Sequence, residues 1–95
     1  MALWSLFVTV EGASFTSQLR AGSAAKAVGK FLEGRSLYQF IGRRKGWPRR
    51  FTAQDVFCLI PMDGLRNAQL CQLGRGGKYV SIVLVETVAT KQTNP

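Results

Sequence analysis

Arg43, Arg44, Lys45, Arg49 and Arg50 put five cations into eight residues, with Trp47 among them and Phe51 directly after. No acid occurs between Glu33 and Asp55, so nothing nearby in the sequence neutralises that field. Guanidinium groups present planar donor forks to phosphate oxygens, and an aromatic ring stacks on an unpaired base or on an arginine. The segment is therefore expected to contact nucleic-acid phosphates through its cations, with Trp47 and Phe51 as stacking surfaces and with weak sequence preference. The competing expectation is a solvated loop in which the two aromatics pin the chain to the core and the arginines keep it soluble. Arg20, Arg35, Arg66, Arg75 and Lys78 would enlarge the basic surface if the fold brings them to the same side.

Other chemistries are poorly supplied. The chain has no histidine, which removes Ser-His and Cys-His nucleophile pairs and the usual histidine-containing zinc sites. Cys58 and Cys71, with twelve residues between them, match no common zinc-ligand spacing, and two thiols alone do not complete a four-ligand site. Both are expected to be buried as small hydrophobes. Glu11, Glu33, Asp55, Asp63 and Glu86 are scattered and share no short metal or acid/base motif. Gly74-Arg75-Gly76-Gly77-Lys78 has the glycines of a phosphate-binding loop. Such a loop opens a helix and carries Ser or Thr after its lysine, whereas Tyr79 and a strand pattern follow here. A hairpin turn is expected instead. The sequence thus points to a protein that is not an enzyme and carries no cofactor or metal.

The elements that position the basic segment follow from hydrophobic periodicity. Leu3 to Val10 alternates with Trp4, Leu6, Val8 and Val10 on one face, a strand pattern, and Ser14 to Ala21 alternates again after a turn near Glu11 to Ala13. From Ser23 the period changes: Ala24, Ala27, Val28, Phe31 and Leu32 recur at helical spacing, with Ser23 as N-cap and Gly34 as a left-handed stop. Ser36 to Ile41 is aromatic and β-branched and reads as a strand, and Gly42 to Arg50 as a loop. Thr52 to Ile60 reads as a turn leading into a strand, Asn67 to Leu73 as a strand, Gly74 to Gly77 as a connection, and Tyr79 to Val88 as the strongest strand. Apolar residues on both faces of that last segment predict a central strand buried on both sides, paired with the first strand.

The 95-residue length suits one domain over 1–89, while Thr90 to Pro95 is polar, aperiodic and expected to fray. The fold expected is α+β: an antiparallel sheet of five or six strands with one main helix on one face, in the order β-β-α-β-β-β-β. With 46% hydrophobic and 19% charged residues the chain is able to fold. Its formal charge of +8 favours polyanionic partners. No run approaches the roughly 18 apolar residues of a membrane span, and no basic stretch precedes the first apolar run, so a cytoplasmic protein without a membrane partner is expected. The alternative function is a protein-interaction module or homodimer that pairs an exposed sheet edge or buries surplus apolar surface from Phe7, Phe15, Tyr38 and Phe40.

Overall fold

The computed structural model describes residues 1–42, 44–65 and 67–87. Along them run β1 (Ala2–Val10), β2 (Ala13–Ala21), α1 (Ala24–Glu33), α2 (Ser36–Ile41), a 3-10 turn (Ala53–Asp55), β3 (Val56–Pro61), β4 (Ala68–Arg75) and β5 (Lys78–Thr87). The strands form one antiparallel sheet in the order β2-β1-β5-β4-β3. The α+β class is as the periodicity requires, and the last strand is central and pairs with the first. The polar tail at 90–95 lies outside the described residues, as do Arg43 and Arg66.

Two hairpins fix the register. β1 and β2 pair from Ala2↔Ala21 to Val10↔Ala13, which leaves Glu11 and Gly12 as the whole turn. Both have positive φ, 50° and 82°, the two-residue turn whose twist matches that of the strands it joins. Gly76 and Gly77, at φ 61° and 78°, repeat the device between β4 and β5. The connection expected over Gly74 to Gly77 is therefore shorter. Gly74 and Arg75 belong to β4 and pair with Tyr79 and Lys78. Gly74 is required there by close approach, because a Cβ would stand 2.5 Å from Cδ1 of the Tyr79 ring that lies across it.

One face of the sheet carries the core. Trp4, Leu6, Val8 and Val10 of β1 are buried with Cys71, Leu73, Val80, Ile82 and Leu84 beneath the apolar stripe of α1. Each fully buried aliphatic side chain contributes about 1.5–3 kcal/mol. α1 starts where the Ser23 hydroxyl accepts the Lys26 amide at 3.2 Å. It ends at Gly34, whose amide donates to the carbonyls of Lys30 and Phe31. Gly34 is extended, at φ −80° and ψ −169°, and not in the left-handed conformation expected of it.

Two further expectations are corrected. Ser36–Ile41 is a helix rather than a strand, so the described residues form five strands in two groups about a helical pair. Leu37 and Ile41, one helical turn apart, are both buried. A run this short does not distinguish a buried strand from a helix by composition, and the i, i+4 pair decides it. The central strand is buried on one side only. Val80, Ile82 and Leu84 have no exposure, whereas Tyr79 on the opposite face is 63% exposed, because among the described residues no helix covers that face.

Candidate nucleic-acid interface

The basic segment lies at the end of the sheet where β1, β4 and β5 make their turns and β3 begins. Arg44 to Trp47 form a tight turn closed by the Trp47 amide on the Arg44 carbonyl at 3.3 Å. Gly46 takes φ 83° at its third position, which glycine adopts without strain. A Cβ on Gly46 would stand 3.6 Å from Cε of Lys78, so the turn rests against the start of β5. The far end of the segment is fastened through Tyr38. Its hydroxyl accepts the Phe51 amide at 3.0 Å and donates to the Leu32 carbonyl at 2.8 Å.

These fastenings enclose a cleft of about 520 Å³ lined by Gly42, Arg44, Trp47, Pro48 and Arg49. Trp47 is half-buried, with its ring edge-to-face with Phe51 at 6.5 Å and the Lys78 ammonium 5.8 Å from its centre. The Arg44 guanidinium donates to the Glu11 carboxylate at 2.9 Å. That pair is half-exposed, and a surface pair of this kind is worth at most about 1 kcal/mol, so an incoming phosphate can compete for the arginine. Arg75 donates to Asp55 at 3.1 Å across the β4–β3 corner. Lys45 and Arg49 are exposed at the same end. Among the described residues neither they nor Lys78 has an acidic partner.

The structure sorts the residues singled out by sequence. Arg44, Trp47 and Arg49 share the cleft, and Lys45 sits in its turn. Phe51 is 1% exposed and therefore cannot stack on a base. Its ring completes the core behind Trp47, the anchoring role of the competing expectation. Arg50 faces a separate cleft of about 260 Å³ beside Leu32 and Glu33. Arg43 lies outside the described residues. Of the cations proposed to enlarge the surface, Arg75 and Lys78 flank the β4–β5 turn at this end. Arg20 is at the other end of the sheet, donating to the Met1 carbonyl. Glu11 is the part of the site that the sequence does not signal, since only the two-residue turn after β1 brings its carboxylate beside Arg44.

The remaining reactive groups are accounted for by structure. Asp55 accepts the Thr52 amide at 2.7 Å, closing a reciprocal cap in which Thr52 Oγ1 accepts the Gln54 amide. The Thr52 amide, with help from Arg75 and against a smaller push from burial, holds the Asp55 carboxyl below its usual range. Cys71 is buried in the core, while Cys58 is only partly covered. Register puts them on adjacent strands facing opposite sides, since Cys71 pairs with Leu59 and Cys58 with Gln72. Both are free thiols. Burial first, and the nearby Cys58 second, push the Cys71 thiol up to about 11. Among the described residues, no three of Cys, Asp and Glu gather in a way that could hold a metal ion.

Compared with protein-family models, with curated proteins and with solved structures, the chain matches none of them.

Proposed function

We propose that this protein is a non-catalytic nucleic-acid-binding accessory protein that holds the phosphate backbone at the cation-rich end of its sheet. The observation that carries the reading is the cleft where Arg44 and Arg49 converge beside Trp47. Lys45 and Lys78 flank it, and Glu11 is the acid paired with it among the described residues. Two guanidinium forks on a fastened loop suit bidentate contact with phosphate oxygens. The Trp47 ring forms a wall against which a sugar or an unpaired base can lie. Phosphate contacts carry no sequence information, so the preference among sequences is weak. Two free thiols suit a reducing compartment, and the reading assigns the protein to the cytoplasm. Among the described residues, no helix is long and apolar enough to cross a membrane.

The test is fluorescence anisotropy with mixed-sequence single- and double-stranded oligonucleotides over a salt series, for the wild type and for Arg44→Ala, Arg49→Ala and Lys78→Ala. Affinity falls linearly in log–log form with salt, and each variant lowers the slope by about one unit for the phosphate contact it removes. Absence of binding at low salt, or variants that bind as the wild type does, would remove the reading.

A further inference from the structure

The helices of the described residues cover one face of the sheet, and the other face carries an open apolar row. Register places Phe7, Val83, Leu70 and Ile60 in one continuous row across β1, β5, β4 and β3. Phe7 is 46% and Ile60 52% exposed. At the turn end the Tyr79 and Phe57 rings meet edge-to-face, 6.1 Å apart and both more than 60% exposed. An apolar patch rimmed by polar side chains, as this row is by those of β2, is the kind of surface that marks an interaction site. Of the aromatics expected to supply such a surface, Phe15 and Phe40 instead pack on each other and on the core, and Tyr38 is held by its hydrogen bonds.

We infer that this open face is covered by a second copy of the chain, sheet against sheet. Size permits it. Five strands spaced about 4.8 Å apart, averaging about eight residues of 3.3 Å, give a face of roughly 600 Å². Two such faces bury roughly 1,200 Å², the lower edge of a standard specific interface. Charge selects the occupant. The chain carries +8, yet the only charged strand residue that register places on this face is Arg20, at its β2 corner. The rest of the face is Ser, Thr, Gln, Cys and apolar side chains. This is the surface along which two copies can approach without bringing their cations together, whereas an acidic partner is drawn to the basic end instead. A two-fold axis along the Phe7–Ile60 row lays each of its residues on its own copy and sends the two cation-rich ends to opposite ends of the pair. The contact is self-complementary, as a closed dimer requires.

The test uses the full chain. Sedimentation across a concentration series should give twice the 10.5 kDa of one chain, and Phe7→Lys should return it to one chain by placing like charges on the axis. Ile60→Lys, on the edge strand, is the second variant should Phe7→Lys fail to fold, as judged by circular dichroism. Cys58 gives an independent readout, because it faces the contact while Cys71 is buried in the core. Its alkylation should slow several-fold as the dimer forms, and recover in the folded Lys variant. Arg49→Ala should leave the dimer intact, so loss of oligonucleotide binding and loss of the dimer are separately visible. A monomer at every concentration, a dimer that survives the folded Lys variants, or Cys58 reacting equally at all concentrations would overturn the inference. So would an oligonucleotide that shields Cys58 in a monomer, which would give the face to nucleic acid.

Discussion

Tyr38→Phe removes one oxygen and leaves the ring in place, so its cost isolates the fastening of the basic loop. The hydroxyl donates to the Leu32 carbonyl at 2.8 Å and accepts the Phe51 amide at 3.0 Å. Leu32 lies in the last turn of α1, whose carbonyls have no partner within the helix. Phe51 is 1% exposed, so water is poorly placed to replace the lost acceptor. A net hydrogen bond is worth about 1 kcal/mol and a buried orphan costs about 1–3 kcal/mol, giving about 2–3 kcal/mol for the pair. In a domain of this size each kcal/mol moves Tm by about 4–8 °C, so the variant should melt about 10–20 °C below the wild type. Thermal and urea unfolding measure it, with the urea m-value unchanged because the surface exposed on unfolding is the same. Oligonucleotide affinity, measured well below the melting range, should also fall, since the same bond holds the end of the loop that carries Arg44 and Arg49. A Tm within about 2 °C of wild type, less than about 0.5 kcal/mol, would refute the claim that this hydroxyl fastens the loop.

Two further outcomes follow from the turn and the cap. Gly77 holds φ 78°, so Gly77→Val should cost about 1–2 kcal/mol in urea unfolding, with Gly77→Asn losing less because Asn tolerates that conformation; equal stability of all three would contradict the assigned turn. Asp55 has a lowered pKa in the folded chain, so its charge stabilises the fold above the ordinary carboxylate value of 3.8. That contribution is lost as pH falls through the still lower folded value. The stability difference between wild type and Asp55→Asn should therefore shrink on acidification, and a difference independent of pH would show that the cap does not depend on the carboxylate charge.

The fold was legible wherever period and partner agreed. β1 and β2 alternate, β5 is a ten-residue strand rich in β-branched residues, and α1 has both a five-residue apolar stripe and a serine cap, so local pattern and tertiary contact point the same way. Ser36–Ile41 failed because Leu37, Tyr38, Phe40 and Ile41 are residues that strands favour, while the constraint that makes them helical is tertiary. Leu37 and Ile41 enter the core on one side, and the Tyr38 hydroxyl reaches the ends of two other segments. Gly34 failed differently: a helix stop of some kind was readable, but its conformation depends on where the next helix must start, two residues later at Ser36. Tyr79 was misassigned to a second buried face because an apolar alternation states only what a side chain prefers. Whether a second layer exists depends on the number of helices the chain supplies, and the two helices of the described residues both pack on the core face.

The basic segment shows why a charge cluster overstates its site. Five cations and two aromatics adjacent in sequence read as one surface, but the loop turns between them. Arg44 and Arg49 enter one cleft and Arg50 another, and Phe51 turns inward because a loop this polar needs an anchor in the core. Its losses are made up from far away in the chain: Lys78 arrives through the pairing of β5 with β1, and Glu11 through the two-residue turn that ends β1. The same register that collects cations at one end of the sheet leaves Arg20 as the one charged strand residue of the open face, since alternation sends Phe7, Val83, Leu70 and Ile60 to one side and the positions facing the helices to the other. A basic end and an open face with an apolar row and a single corner charge are thus two consequences of one strand pairing. Sequence displayed the charge, while only the pairing could display where the charge was missing.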